Sequence, residues 1–182
     1  TDTLDEFYKA TFLCFKEMRR TGITCVGEFH YFHHAKNEKY AFDRIVARAA
    51  RDANVRLVLL NAYYGFGGFG QQPLTTAQQR FETTSTDEYF QQLDALTNQL
   101  CIAEESTVTL GVVAHSLRAV NPDILGQLLS GAEKRSLPFH IHLEEQPKEV
   151  QECKKHSSGK TPMRVLLDAC PPGQGSCDRI TA

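Results

Sequence analysis

The sequence predicts an α/β fold, a partial (β/α)8 TIM barrel with about four parallel strands and alternating helices. Two observations lead to this prediction. Segments with apolar residues at helical spacing alternate along the chain with short apolar runs. These runs are nearly continuous, as in strands buried on both faces, which is typical of parallel sheets. A complete barrel takes about 250 residues. We therefore expect residues 1–182 to be a fragment of a single barrel domain.

Helices are predicted where apolar residues recur every three or four positions. In the first of them, Leu4, Phe7 and Phe15 share one face, and Gly22 follows its end. A later helix is expected to begin near Pro122, a favourable first-turn residue after the cap Asn121. The predicted helices cover 3–20, 36–53, 87–105, a segment from about 122, 147–156 and 162–170.

The predicted strands are apolar runs rich in β-branched residues, at 23–30, 55–62, 107–114 and 138–143. Between the second strand and the third helix lies a Gly- and Gln-rich loop, 65–86. It is expected to be either a mobile wall of a pocket or a plain flexible loop. Residues 177–182 resemble the beginning of a further strand.

Composition argues against two classes of partner. The net charge is −2 and the pI is about 6.4, so there is no basic surplus for nucleic acid. No apolar run reaches the roughly 18 residues that a membrane span needs. The six cysteines form no C-x-x-C pair, and Cys14, Cys25 and Cys101 lie in apolar patterns that predict buried thiols. We expect a cytoplasmic protein with no nucleic-acid or membrane partner.

Six of the seven histidines lie at or just beyond the carboxyl ends of predicted strands. In parallel α/β folds this is where functional residues collect. His140 and His142 are two residues apart and face the same side of their strand. His142 is nearer the strand end and is the better candidate metal ligand, while Glu145 could move the proton of a metal-bound water. The alternative is that both histidines form hydrogen bonds within the core.

Polar residues also follow the other strands. His115 and Arg118 flank a turn, and the planar guanidinium of Arg118 suits a carboxylate, which predicts a small acidic substrate. Alternatively, Arg118 pairs with a structural carboxylate. After the first strand, His30 and Tyr31 are expected near the pocket. The adjacent His33 and His34 are expected to cap or support it.

Four motifs carry a resemblance to a known family: GITCVGEFHYFHH at 22–34, GFGGFGQQP at 65–73, AHSLRAV at 114–120 and HIHLEEQPKEVQEC at 140–153. They are similar to motifs of the amidohydrolase superfamily and, within it, of the formimidoylglutamate deiminases of histidine degradation. That family hydrolyses N-formimino-L-glutamate to N-formyl-L-glutamate and ammonia, using one zinc ion.

The resemblance implies a role for five residues. His142 would be the metal ligand on the fifth barrel strand, and Glu145 would be the catalytic residue that transfers protons. His115, Arg118 and Tyr31 would bind substrate, with Arg118 on a glutamate carboxylate.

The chain departs from the family pattern in its metal ligands. The family binds zinc through an H-x-H pair on the first barrel strand, a His on the fifth and an Asp on the eighth, and a His on the sixth assists as a base. Only His142 has a counterpart here, and Glu144 replaces a residue that is usually small. We expect zinc to be absent or incomplete in this chain, and the chain alone to be inactive. Exposed sheet edges predict self-association, or pairing with a chain that supplies the missing parts.

Two other readings stay open. The parent enzyme could be a related amidohydrolase deaminase that acts on a purine or another amidine. The chain could also be a non-catalytic binding or assembly module.

Overall fold

A computed structural model describes residues 3–36, 38–100, 107–170 and 180–182. Helices and strands alternate along these residues, and the strands form one sheet whose spatial order follows the chain, β1-β2-β3-β4-β5. β1 with β2, β3 with β4, and β4 with β5 pair in parallel. The elements are α1 (Leu4–Arg20), β1 (Cys25–His30), α2 (Ala41–Asp52), β2 (Arg56–Tyr63), a short 3-10 helix (Gln79–Phe81), α3 (Thr86–Leu100), β3 (Val108–Ala114), α4 (Pro122–Lys134), β4 (Phe139–Ile141), α5 (Pro147–His156), α6 (Pro162–Ala169) and β5 (Ile180–Thr181).

This order of parallel strands with intervening helices is that of part of a (β/α)8 barrel, so the predicted fold class is confirmed. In addition to the four predicted strands, β5 pairs with β4, with Phe139 opposite Ile180 and His140 opposite Thr181. β5 lies within 177–182, the segment that was expected to begin a further strand.

Two local predictions are corrected. The helix predicted over 36–53 begins only at Ala41, because Tyr40 has a left-handed backbone (φ 57°) that cannot continue into a helix. Cys14 and Cys25 are exposed rather than buried. Cys14 lies next to the buried Phe15 on α1 but is itself exposed, and Cys25 begins a strand at the end of the sheet order. Cys101 lies outside the described residues.

The chain forms two compact units. The first lies within 1–61 and 91–110. In it α1 packs on α2, with the rings of Phe7 and Phe42 4.3 Å apart, and the Tyr8 hydroxyl donates to Asp52 at 2.6 Å. Thr3 begins α1 through a reciprocal capping box with Glu6. The apolar faces of α2 and the strands are buried, which accounts for their sequence pattern.

The second unit lies within 62–90 and 111–182. Its core includes Leu125 and Leu128 of α4 and Ile141 of β4, all fully buried. The Asn121 side chain accepts the Ile124 N–H at 2.8 Å and so begins α4 at the predicted residue. Within the described residues, no helix has the length and apolar character needed to cross a membrane.

Candidate functional site

The second unit brings together four of the five residues predicted for the site. His115 directly follows β3 and His142 directly follows β4. Since these strands are parallel neighbours, both side chains emerge at the same edge of the sheet. Their ring centroids are 6.4 Å apart. We call His115, Arg118, His142 and Glu145 the strand-end cluster.

A buried serine links two members of the strand-end cluster. Ser116 has no solvent exposure, and its Oγ accepts a hydrogen bond from Arg118 Nε at 3.3 Å. The same Oγ lies 3.2 Å from His115 Nδ1, so its proton is available to that nitrogen. The ring of Tyr64 meets the His115 ring edge-on at 4.5 Å. Ser116 and Tyr64 were not among the predicted site residues, although Ser116 lies between two of them in the sequence.

Arg118 and Glu145 form an ion pair, with Arg118 Nη2 donating to Glu145 Oε2 at 3.2 Å. The arginine therefore has a carboxylate partner within the chain, which was the alternative to a substrate-binding role. The pair is accessible, with side-chain exposures of 30% and 54%. Such exposed pairs contribute only about 0–1 kcal/mol, so a competing carboxylate could displace Glu145 from Arg118.

The backbone around Glu145 is held by α5 and α6. Glu149 in the first turn of α5 is buried, and its Oε2 accepts the Glu145 N–H at 3.1 Å. Glu144 adopts a left-handed backbone with φ 56°, and its Oε1 accepts the Met163 N–H at 3.2 Å. The side chain of Glu144 is exposed. A residue larger than the family's usual one is therefore accommodated without a packing conflict.

Two imidazoles at this edge, those of His115 and His140, have lowered pKa values. Burial, followed by the charges of Arg118 and His142, lowers the pKa of His115 to about 4. Burial and the charge of His142 also lower the pKa of His140, whose Nδ1 lies 2.7 Å from Thr181 Oγ1. His115 is consequently neutral at pH 7 and can serve as a hydrogen-bond donor or acceptor without carrying charge.

The Gly-rich segment 65–73 forms a wall beside Arg118. The N–H groups of Gly65 and Phe66 both donate to Ala119 O, at 3.0 and 3.1 Å. A Cβ at Gly67 would lie 2.6 Å from Pro73 O, so this turn requires glycine there. With α5 and α6 the segment encloses a cavity of about 160 Å³, lined among others by Phe69, Arg118 and His156.

The strand-end cluster does not by itself fit a catalytic zinc ion. Zinc in catalytic sites takes three protein ligands. Across the described residues, the group of His, Cys, Asp and Glu side chains that converge closely enough to share an ion is His30, His33 and Asp43, and His142 is not part of it. The residues described around His142 thus supply one imidazole for a metal and no complete ligand set.

Tyr31 belongs to the first unit, where it follows β1. Its side chain is 36% exposed, and its ring lies 5.8 Å from that of Phe29. Its role in substrate binding stays a prediction.

The first unit contains a buried cluster of polar side chains. Its two histidines were expected near the site, but its aspartate was not. His30 Nε2 and His33 Nδ1 each lie 2.8 Å from the same atom, Asp43 Oδ1. Asn61 Nδ2 donates to the other carboxylate oxygen at 3.2 Å. Burial alone would raise the pKa of Asp43. The charge of His33 and the contacts of both imidazoles outweigh burial and hold this pKa well below its ordinary value. We call His30, His33 and Asp43 the buried triad.

His34 has a separate role. Its Nδ1 accepts the N–H of Tyr40, the residue before α2, at 3.1 Å. The motif at 30–34 therefore ties the end of β1 to the beginning of α2 at two points.

Residues 2–174 match the sequence model of the amidohydrolase family. The chain belongs to this family. It is 37% identical over 166 residues to a formimidoylglutamate deiminase from Pseudomonas aeruginosa. The match covers 88% of this chain and 35% of the relative. A 5'-deoxyadenosine deaminase from Methanoregula boonei is 29% identical over 168 residues, covering 92% of this chain and 32% of the relative.

Among solved structures, an amidohydrolase from Brucella melitensis superposes with a TM-score of 0.80 at 32% identity. The match covers 93% of this chain and 38% of that one. The chain thus spans about a third of the length of the amidohydrolases it matches.

Proposed function

We propose that this amidohydrolase chain provides the substrate-binding and proton-transfer side of a zinc-dependent deiminase. In the complete enzyme it would hydrolyse N-formimino-L-glutamate to N-formyl-L-glutamate and ammonia. The observation that carries the proposal is the strand-end cluster, in which a cation, a carboxylate and two imidazoles meet where parallel strands end. The identity to a formimidoylglutamate deiminase supports the choice of substrate.

Each side chain has a task that its surroundings allow. Arg118 binds a carboxylate of the glutamate part, oriented by its bond to Ser116. The neutral His115 contributes a hydrogen bond to the substrate. Glu145 takes a proton from the water that adds to the formimino carbon, and returns it to the nitrogen as the C–N bond breaks and ammonia leaves.

The ion pair of Arg118 and Glu145 gives these tasks an order. In the substrate-free chain the two side chains neutralise each other. A substrate carboxylate that binds Arg118 would replace Glu145 and free it for proton transfer. The binding of an acidic substrate would therefore also free Glu145 for proton transfer.

His142 is proposed as one ligand of the zinc ion, which would polarise the reacting group and activate water when bound. A single imidazole cannot hold catalytic zinc, so the remaining ligands must come from elements beyond the described residues. We accordingly propose that the 182-residue chain is inactive alone.

A second candidate is a purine deaminase, favoured by the similarity to a 5'-deoxyadenosine deaminase. Both activities release ammonia from an amidine-like carbon. Their substrates differ in charge, since 5'-deoxyadenosine carries no carboxylate that Arg118 could bind. Arg118 is therefore the residue that separates the two proposals.

The test replaces the matched segment of the Pseudomonas aeruginosa relative by this chain and measures ammonia release from N-formimino-L-glutamate and from 5'-deoxyadenosine. We expect the formimino compound to be the better substrate. Arg118→Met should lower kcat/KM for it by roughly 10- to 100-fold, because a charged hydrogen-bond partner is lost. Glu145→Gln should lower kcat by roughly 100-fold or more.

Arg164→Met is the matched control, since Arg164 forms an ion pair with Asp168 on α6 and should leave activity unchanged. Preference for 5'-deoxyadenosine would favour the second candidate. Equal effects of the two arginine substitutions would refute the role of Arg118. If the hybrid does not fold, as judged by circular dichroism, binding of the formimino compound to this chain and to its Arg118→Met variant tests the same contact.

A further inference from the structure

We infer that the buried triad of His30, His33 and Asp43 is a second metal site, one that takes a zinc-class divalent cation and stabilises the fold. It lies in the first unit and involves none of the residues of the strand-end cluster. The inference does not depend on the proposed deiminase activity.

The three side chains converge from three separate places in the chain. His30 is the last residue of β1, His33 lies in the following loop, and Asp43 is in the first turn of α2. One ligand atom from each lies within 4.8 Å of the others. The two imidazole rings are nearly perpendicular, at 86°, with centroids 5.3 Å apart. Ligands around a tetrahedral ion approach it from different directions in this manner.

One nitrogen of the triad has no hydrogen bond to explain its position. His30 is only 3% exposed, and its Nε2 lies 2.8 Å from Asp43 Oδ1. Nε2 has no hydrogen-bond partner among the described residues. A buried polar nitrogen without a partner is costly. A cation between the imidazoles and the carboxylate would remove that cost.

The surroundings of Asp43 suit a metal ligand. Asn61 Nδ2 donates a hydrogen bond to Asp43 Oδ2 at 3.2 Å. This bond orients the carboxylate, and the other oxygen, Oδ1, lies beside the two imidazoles. A hydrogen bond to the distal oxygen of a ligating carboxylate is a common supporting contact in metal sites. Two imidazoles and one carboxylate form a donor set that zinc accepts, with water in the fourth position.

Burial determines how the site would work. The three side chains are 0–3% exposed, so the ion would enter as the first unit folds rather than bind to a finished surface. Its binding energy would then appear as folding energy. The ion would fasten the end of β1 to the beginning of α2. Without the ion, the contact of His33 Nδ1 with Asp43 Oδ1 at 2.8 Å links the same segments.

The experiment uses the 182-residue chain refolded with and without zinc, then dialysed, with metal content and thermal stability measured. We expect about one zinc ion per chain and a higher Tm in the zinc-bound protein. His30→Gln and Asp43→Asn should lose the ion and the rise in Tm. His142→Gln, in the strand-end cluster, and His156→Gln, on the exposed end of α5, are the controls and should keep both.

Refolding with Co²⁺ gives a readout of coordination, because tetrahedral nitrogen and oxygen ligands produce intense visible absorption. NMR of the histidine ring nitrogens in the unsubstituted chain then identifies which imidazoles bind, even if a variant fails to fold. Zinc should shift the His30 and His33 signals and leave that of His156 unchanged. A folded chain that retains no metal would overturn the inference and leave the triad as a hydrogen-bonded clamp. The inference would also be overturned if His142→Gln lost the metal while His30→Gln and Asp43→Asn kept it.

Discussion

At the scale of single residues, the His115 imidazole shows how the site controls charge. Burial, then Arg118 and His142, lower its pKa to about 4. We predict that its ring signals in an NMR titration stay those of neutral imidazole down to about pH 5. In Arg118→Met the midpoint should rise, because the positive charge that disfavours protonation of His115 is removed. Arg164→Met should leave the midpoint unchanged. A His115 midpoint at its ordinary value near 6.5 would contradict the burial on which the prediction rests.

The same lowered pKa affects stability in a defined pH window. The unfolded chain binds a proton at His115 below about pH 6.5, whereas the folded chain does so only near pH 4. Between these values the unfolded state holds more protons, so the free energy of unfolding falls as the pH falls. Urea unfolding at pH 7 and pH 5 should show this loss, and it should be smaller in His115→Gln. An equal loss in the variant would assign the effect to other groups.

Residue types at strand ends could be predicted, but their partners could not. His115, Arg118, His142 and Glu145 were found because parallel strands deliver their following residues to one edge. Asp43 was missed, since its contact with His30 depends on the path of the chain between β1 and α2. That path includes the left-handed Tyr40, for which a bulky aromatic residue gives no sequence signal.

At the scale of elements, the two glycines of α4 provide a matched pair. A Cβ at Gly126 would meet nothing within 4 Å, whereas one at Gly131 would lie 1.9 Å from Phe90 Cζ. Gly126→Ala should therefore raise the free energy of unfolding by up to about 1 kcal/mol, from helix propensity alone. Gly131→Ala should lower it by about 1–3 kcal/mol, since the Phe90 ring must move from beneath Arg135.

Chemical denaturation of the two α4 variants measures the difference directly. Equal stabilisation by both alanines would mean that Phe90 relocates without cost. The cap Asn121 and the first-turn Pro122 located the beginning of this helix from sequence. The contact of Phe90 with Gly131 could not be inferred, because it joins α3 to α4 across intervening strand and loop residues.

At the scale of the whole molecule, the alternation of apolar runs and amphipathic segments was enough to predict a parallel sheet with alternating helices. What it could not supply was the length of each strand. β4 has three residues where six were predicted, since Pro138, His142 and Leu143 lie outside the strand. Apolar periodicity does not record where the pairing of a strand ends.

The sheet order also supports the proposal that this chain self-associates. β1 and β5 lie at the two ends of the sheet order in the described residues. Cys25 and Gly27 of β1 are exposed, and the preceding Ile23 is 43% exposed. An accessible strand at a sheet edge is a template for pairing with another chain. We therefore predict that the apparent mass in light scattering rises with protein concentration.

A charge on the edge should suppress this association. Val26→Lys places a lysine in β1, where natural edge strands often carry one, and should hold the chain as a monomer at concentrations where the unsubstituted chain associates. Gln91→Lys adds the same charge to an exposed position of α3 and controls for net charge alone. If both variants dissociate equally, general repulsion rather than strand pairing drives the effect. If the unsubstituted chain stays monomeric throughout, the edge is already protected, and the proposal of association through β1 fails.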